Sequence, residues 1–260
     1  MYALMMSADK IIQLTSTPGF WAILATALIA GIVRGFSGFG TGMIFVPAAS
    51  AIYSPKTAVV ALWILDSLPT LVIVPKALPH VDWRSVIPAV IGYALLVRYG
   101  VAMLAGFDPL TMRWLISLVV FGFVLLLWSG WRYHGARPAW LSAVVGGIAG
   151  LFSGAAGLPG PPVIAYWMAS NAATRTIRAN LIAFFMLGEI LSGIALYLAD
   201  LFAIDALAIG AAAIPAYVGG LLAGQSLFGR ASDEIYRRVA FLVILASATL
   251  GLPLLDGLLK

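Results

Sequence analysis

The chain has no cysteine and only two histidines among its 260 residues, and charged residues make up just 10% of it. Without cysteine, the protein forms no disulfide, has no thiolate nucleophile and offers no sulfur ligand to a metal. His80 and His134 lie far apart in the sequence and have no carboxylate cluster beside them, so we expect no metal site and no cofactor. No polar stretch is long enough for a soluble domain. Function is therefore expected within the apolar sequence.

Apolar residues dominate what is present. They make up 62% of the chain, and the mean hydropathy is +1.04, whereas soluble proteins contain about 45–50% apolar residues. The apolar runs match the roughly 20 residues that cross a bilayer as a helix, and none alternates with the period of a barrel strand. We predict an all-α polytopic protein embedded in membrane lipid. The net charge of +5 is spread over short loops, so we expect no nucleic-acid partner.

The apolar runs fall into two similar halves that form a single membrane domain. We place an N-terminal interfacial segment at 1–19, which lacks a cleavable signal pattern. A first repeat covers 20–131 and a second covers 139–255. Each begins with two short apolar pieces that we interpret as half-helices, namely 20–34 with 43–53 (pair 20–53) and 139–149 with 161–171 (pair 139–172). Three spans follow in each repeat, at 57–75, 85–105 and 114–131, and at 179–198, 206–228 and 239–255.

One motif interrupts both halves. Residues 34–42 read RGFSGFGTG, and residues 150–158 read GLFSGAAGL. Small and flexible residues within apolar sequence indicate a helix break. Other matches in the same order support a duplication, including Asp66 with Glu189 and Gly100 with Gly224. A duplicated helix break inside a membrane suggests a transport site.

The basic residues of the loops predict how the repeats are oriented. Nine fall in loops that we place inside the cell and four on the opposite side, in agreement with the positive-inside rule. For this count, the pair 20–53 must begin and end outside, and the pair 139–172 inside. The two repeats are then inverted relative to each other, an arrangement that places substrate sites near the membrane midplane. The inner nine are Lys76, Arg84, Arg132, Arg137, Arg175, Arg178, Arg230, Arg237 and Arg238; the outer four are Lys10, Lys56, Arg113 and Lys260.

The two breaks are the candidate binding site. A helix that starts inside the membrane presents free N–H groups and the positive end of its dipole, which favour an anion. Glycine also lets the backbone approach a ligand closely. The alternative is that these small residues only permit tight helix packing. The substrate-binding candidates are Arg34, Ser37, Gly38, Phe39, Gly40, Thr41, Gly42, Ser153, Gly154, Ala155, Ala156 and Gly157.

Charged residues within the spans suggest further roles. Arg34 is the candidate counter-charge for the substrate, unless it extends to the membrane interface. Asp66 and Glu189 lie at the centres of equivalent spans, where a carboxyl can carry a proton; the alternative is an ion pair with Arg34 or Arg98. Arg98 and Asn180 are further pocket candidates, although Arg98 is close enough to its helix end to reach the interface.

Two other groups of residues allow more than one interpretation. Tyr93, Tyr197 and Tyr217 fit a pocket lining, but aromatic residues in spans more often pack or anchor at interfaces. Gly35-Phe36-Ser37-Gly38 fits the nucleophile motif of rhomboid proteases. The histidines fall in predicted loops, so the serine lacks a base. We expect no enzyme.

The two motifs and their surroundings resemble a known family. The run from Gly31 to Pro47, its repeat from Gly147 to Pro162 and the stretch 175–180 are similar to the TauE/SafE sulfite exporters, also called toluenesulfonate uptake permeases. The resemblance covers essentially the whole chain. It implies a multi-pass transporter of the bacterial inner membrane that moves sulfite, organosulfonates or related small anions.

The second motif departs from the first. It reads Ala155-Ala156 where the first has Phe39-Gly40, and Leu158-Pro159-Gly160-Pro161-Pro162 is inserted. This asymmetry suggests that one break binds while the other acts as a hinge.

The expected function is secondary active transport of a small anion, bound near the midplane at the helix breaks. Sulfite, an organosulfonate, or a related sulfur-containing or carboxylate anion is the expected substrate, and protons are the candidate coupling ion. The alternatives are a passive anion channel, a carrier of a non-anionic metabolite and a structural membrane protein. The sequence leaves open the exact substrate, the direction of transport, the coupling ion, which break binds and the oligomeric state.

Overall fold

The computed structural model describes residues 17–131, 133–168, 170, 172–227 and 233–256, without the side chains of 37, 68–77, 227, 233–237 and 255. Every regular element in these ranges is helical, which confirms the predicted all-α class. Most of the interfacial segment 1–19 lies outside them, as do Lys10, Arg132, Arg230 and Lys260 from the loop-charge count.

Ten α-helices follow one another in the described ranges, five in each half of the chain. The first half contains α1 Pro18–Ser37, α2 Thr41–Ile52, α3 Pro55–Ala77, α4 Trp83–Gly106 and α5 Pro109–Trp128. The second contains α6 Ala139–Ala156, α7 Gly160–Trp167, α8 Thr174–Leu198, α9 Ile204–Leu227 and α10 Asp233–Gly251. Short 3₁₀ turns occur at Leu78–His80 and Pro253–Leu255. Among the described helices, α1, α4, α5, α6, α8 and α9 are long and apolar enough to cross a membrane.

Local signals explain where several helices begin. Pro18, Pro55 and Pro109 start their helices, where the missing N–H group costs nothing. Asp108 also caps α5, because its carboxylate accepts hydrogen bonds from the backbone N–H groups of Leu110 (3.0 Å) and Thr111 (3.2 Å).

The first helix of each motif pair is longer than the predicted half-helix. Helix α1 has 20 residues and α6 has 18, so α1 is about 30 Å long at about 1.5 Å per residue. Both helices continue through the first glycines of the motif because neighbouring helices pack directly on them. A Cβ at Gly35 would overlap the Leu221 carbonyl of α9, and one at Gly154 would overlap the Val97 carbonyl of α4. Only α2, with 12 residues, and α7, with 8, are short.

The closest helix pairs join the two halves, since α1 packs on α9 and α4 packs on α6. Gly31 lies against Tyr217 and Leu221, while Gly35 lies against Leu221 and Gln225, so α1 and α9 run parallel. In the same way, Gly92 lies against Ala143 and Gly100 against Leu151, so α4 and α6 are parallel. Small residues allow this close approach of two backbones. The fourth helix of each half therefore packs on the first helix of the other half.

The equivalent helices α3 and α8 cross at the centre of the bundle. Trp63 lies against Gly193, and Ser67 lies against Glu189. The higher-numbered residue of α3 contacts the lower-numbered residue of α8. These two helices are therefore antiparallel. This crossing brings Asp66 and Glu189 to the same region between the two motif pairs.

Candidate functional site

Both motif pairs contain a short break with a left-handed glycine. Helix α1 ends at Gly38, with a φ of 78°, and Gly40, with a φ of 99°, precedes α2. Helix α6 ends at Gly157, with a φ of 66°. Residues with a side chain rarely adopt such angles, so glycine is required where each helix stops. The breaks are residues 38–40 and 157–159.

The two motif pairs touch each other across the bundle. A Cβ at Gly42, in the first turn of α2, would lie only 2.5 Å from the carbonyl oxygen of Gly157. A Cβ at Gly157 would lie 2.6 Å from a methyl carbon of Leu62 in α3. Neither position has space for a side chain, so the first turn of α2 rests on the backbone of the second break.

A cavity of about 70 Å³ lies between the two breaks. A site needs roughly 10–15 Å³ of such volume for each water, so this cavity has space for about five atoms of that size. It suits an ion of a few non-hydrogen atoms. Its walls are formed by Arg34, Gly38, Phe39, Gly40, Thr41, Gly42, Met43, Asp66, Tyr93, Gly157, Leu158, Pro159, Gly160, Pro161, Phe184, Phe185, Gly188 and Glu189.

Arg34 and Asp66 form an ion pair at the wall of this cavity. Arg34 Nη1 lies 2.8 Å from Asp66 Oδ2 and donates more weakly to Thr41 Oγ1 at 3.3 Å. The Tyr217 hydroxyl donates to Asp66 Oδ1 at 2.8 Å and lies 3.1 Å from Thr41 Oγ1. The two charged side chains keep 22% and 21% exposure, so both reach the cavity. An ion pair of Asp66 with Arg34 was one of the alternatives that the sequence left open.

Glu189 also lines the cavity and has no cationic partner among the described residues. Its Oε1 atom lies 3.1 Å from Ser67 Oγ. Ser67 Oγ also lies 2.7 Å from the Trp63 carbonyl oxygen. The Trp63 indole in turn donates to the backbone carbonyl of Glu189 at 2.9 Å. The two carboxyls of the site therefore differ, since Asp66 faces a guanidinium and Glu189 faces a hydroxyl.

Two tyrosines make corresponding contacts from opposite halves. Tyr217 of α9 meets Thr41 at the first motif, and the Tyr93 hydroxyl of α4 donates to Ser153 Oγ at 2.6 Å at the second. Both rings are buried. From the sequence, packing or anchoring at an interface was the more typical role of such tyrosines. Tyr93 lies seven residues before Gly100, and Tyr217 lies seven residues before Gly224. This equal spacing in the sequence indicates that the two tyrosines are equivalent.

Other predicted residues lie away from the cavity. Ser153, Gly154, Ala155 and Ala156 belong to the last turns of α6 and do not line it. On the side of the second motif, the wall of the cavity consists of residues 157–161. The side chain of Ser37 lies outside the described part of the structure.

Arg98 and Asn180 do not reach the cavity either. Asn180 Oδ1 accepts a hydrogen bond of 2.8 Å from the Asp82 backbone N–H near the start of α4. Arg98 points outward from α4. Phe185 does line the cavity, and helical spacing would have identified it because it lies four residues before Glu189 on the same helix face.

The two helix starts at the cavity differ in the donors they offer. No side chain in the described part of the structure caps α2, and its first backbone bond to Gly40 comes from the N–H of Ile44, at 3.2 Å. The N–H groups of residues 41–43 thus have no partner among the described residues and lie at the positive end of the helix. Helix α7 begins Gly160-Pro161-Pro162, and proline has no N–H group. An anion is therefore better served by α2 together with Arg34.

Within the described residues, no group of three His, Asp or Glu side chains is placed to hold a metal. The site instead combines one guanidinium, two carboxyls, hydroxyls and free backbone N–H groups. These are groups that bind a small anion and exchange protons.

Comparison with known proteins identifies a family for this chain. The family described as sulfite exporter TauE/SafE matches residues 23–250. The chain is also 32% identical over 240 residues to the probable sulfite/organosulfonate exporter TauE of Cupriavidus necator, a match that covers 85% of this chain and 89% of that protein. No solved structure matches the chain. The resemblance noted in the sequence is confirmed.

Proposed function

Because this chain belongs to the sulfite exporter TauE/SafE family of multi-pass membrane transporters, we propose that it carries sulfite or a small organosulfonate across the bacterial inner membrane. The observation that supports this proposal is the cavity where the two helix breaks meet. One arginine and one uncapped helix start face the same small space there. The relative from Cupriavidus necator is named as a probable exporter of the same class of substrate.

Arg34 and α2 form the anion site in this proposal. Only Nη1 of Arg34 is engaged, by Asp66 and Thr41, so the N–H groups of Nε and Nη2 have no hydrogen-bond partner among the described residues. A guanidinium fork matches two oxygens of a sulfite or sulfonate group, as it matches a carboxylate. The free N–H groups of residues 41–43 complete the contacts.

We assign the proton to Glu189. The single proton of the Ser67 hydroxyl serves only one acceptor, and the Trp63 carbonyl is the nearer one. A protonated Glu189 then donates to Ser67 Oγ, which satisfies all three groups at once. Arg34 and Asp66 already neutralise each other, so an incoming anion meets least repulsion when Glu189 is uncharged. The anion and the proton therefore travel in the same direction.

We assign the conformational change of transport to a movement of the two inverted repeats against each other. The equivalent helices α3 and α8 are antiparallel, and each half contains the same five-helix order. In such architectures one repeat rocks against the other around a site at their interface. The first break binds the anion, whereas the proline-rich second break, which offers fewer N–H groups, acts as the hinge.

Transport in proteoliposomes tests the proposal. With an inward proton gradient, the wild-type protein should accumulate labelled methanesulfonate above its external concentration, whereas a passive channel would only equilibrate it. Arg34→Ala should weaken binding at least about tenfold, since charged hydrogen bonds contribute about 1.5–3 kcal/mol each. Arg34→Lys should fall between the two proteins because it keeps the charge and loses the fork.

The control is Arg84→Ala, which removes an exposed arginine at the start of α4 that does not line the cavity. A double variant, Arg34→Gln with Asp66→Asn, avoids leaving an unpaired carboxylate if the single variant unfolds. Transport of methanesulfonate by Arg34→Ala at the wild-type rate and affinity would show that Arg34 does not bind the anion. Failure of the wild-type protein to transport methanesulfonate would favour a carrier of a different substrate.

A further inference from the structure

A second and larger cavity opens between α4 and α8, on the lateral surface of the helix bundle. Its volume is about 370 Å³, compared with about 70 Å³ for the central cavity. The second halves of the two helices form it, with residues 94–102 facing residues 191–199. Nine of the ten lining side chains are apolar, and the tenth is Arg98. We call this feature the Arg98 groove. It shares no lining residue with the central cavity.

Arg98 has an unbalanced charge in this groove. Its Nη2 atom donates to the Tyr99 hydroxyl at 2.8 Å, and its guanidinium lies 4.7 Å from the centre of the Tyr99 ring. No carboxylate of the described residues pairs with it. Because a guanidinium carries five N–H donors, most of them remain available to a ligand.

The position of Arg98 decides which anion can reach it. It lies eight residues before the end of α4 at Gly106, about 12 Å along the axis at about 1.5 Å per residue. Arg98 is exposed on a helix long enough to cross a membrane, so its backbone lies below the membrane surface and its side chain extends through lipid toward the headgroups. A water-soluble anion does not enter the hydrocarbon region unaided, whereas a lipid phosphate is covalently joined to chains that belong there. An arginine at this depth draws such a phosphate toward itself.

The shape of the groove fits the rest of the same molecule. Ala94, Ala102 and Ala195 are small, so they leave a recess between the two helices that an acyl chain fills. Leu191 and Leu198 provide apolar contact along the recess. A charged end and an apolar body are thus arranged as in a phospholipid.

We propose that the Arg98 groove is a binding site for one anionic phospholipid, with the phosphate at Arg98 and an acyl chain along α8. The lipid neutralises Arg98, which has no acidic partner among the residues that the structure describes. The site is independent of substrate transport, because its residues do not line the central cavity.

Native mass spectrometry of the purified full-length protein tests this site. The probes are palmitoyl-oleoyl phosphatidylglycerol, which is anionic, and palmitoyl-oleoyl phosphatidylcholine, whose choline group offsets its phosphate. We expect the wild-type protein to bind one phosphatidylglycerol at least about tenfold more tightly than phosphatidylcholine, since the choline ammonium repels the Arg98 guanidinium and cancels the net charge of the headgroup. Arg98→Gln should remove this preference. Arg84→Gln, which removes an arginine from the start of the same helix, should retain it.

A second variant tests the apolar part of the groove without changing any charge. Ala102→Phe should fill the recess and weaken binding of both lipids, whereas Ala22→Phe, at an exposed position on α1, should not. Equal affinity of the wild-type protein for the two lipids would overturn the proposal. An undiminished phosphatidylglycerol preference in Arg98→Gln would do the same. If Arg98→Gln fails to fold, the wild-type comparison and Ala102→Phe still decide the question.

Discussion

The clearest test of the mechanism is the replacement of Glu189 by glutamine. Glutamine has the shape of a protonated glutamate but cannot lose a proton. If anion binding requires an uncharged Glu189, then Glu189→Gln should bind the anion well at every pH. The wild-type protein should bind it well only at low pH, and affinity should fall as the pH rises and the carboxyl ionises.

The size of the cavity sets the magnitude of this effect. A round cavity of about 70 Å³ is narrow, so an anion inside it and a carboxylate at its wall are about 5 Å apart, and at an effective dielectric constant of about 20 they repel by about 3 kcal/mol. Such a difference corresponds to a change of roughly a hundredfold in the dissociation constant. This is the change expected for the wild-type protein across the titration of Glu189.

The assay is the dissociation constant of methanesulfonate, measured by calorimetry on purified protein over a range of pH. Methanesulfonate is preferred to sulfite because it stays fully ionised throughout, so only the protein titrates. Asp200→Asn is the matched control. Asp200 is exposed outside the cavity, and asparagine tolerates its positive φ of 55°.

The same pair of variants separates binding from coupling. Glu189→Gln should still exchange methanesulfonate across proteoliposomes, but it should no longer accumulate the anion in response to a proton gradient. The reasoning is refuted if Glu189→Gln shows the same loss of affinity with rising pH as the wild-type protein.

Three further predictions concern packing and hydrogen bonds. Gly42→Ala should lower the melting temperature and impair transport because its Cβ would meet the Gly157 carbonyl at 2.5 Å, whereas Gly122→Ala, with nothing within 4 Å, should be neutral or stabilising in thermal unfolding. Tyr217→Phe should weaken methanesulfonate binding several-fold, since a lost hydrogen bond to Asp66 costs about 1 kcal/mol; an unchanged binding isotherm would show that Tyr217 does not orient the ion pair. Arg113→Gln should lower thermal stability without changing affinity, because Arg113 is buried and donates to both oxygens of Asp256 at 2.8 Å; a melting curve like that of wild type would contradict this.

The helix breaks illustrate how far local sequence predicts structure. Both were expected within the motifs, and left-handed glycines do end α1 and α6 there. The lengths of these helices were underestimated. Composition indicated that a run of glycine and serine ends a helix early, but close packing of α9 on Gly35 and of α4 on Gly154 supports the helix through those residues.

The second motif shows why the site was harder to predict. Ser153 matches the first motif in sequence, yet its hydroxyl faces Tyr93 and not the cavity. The residues that form this wall, from Gly157 to Pro161, follow the matching letters. Which residue of a helix faces a cavity depends on its rotation against its neighbours, and a motif alone does not specify that rotation.

The sequence by itself determined the membrane class and the positions of the breaks. These follow from hydropathy and from the freedom of glycine to adopt positive φ, which are properties of short segments. The recurrence of the motif indicated a two-fold repetition. Only the tertiary structure decided that Arg34 pairs with Asp66 while Glu189 faces a serine, and that Arg98 points into a separate groove. Partners that lie dozens of residues apart in the chain are chosen by how the helices cross, so the different chemistry of two similar carboxyls appears only when the bundle has formed.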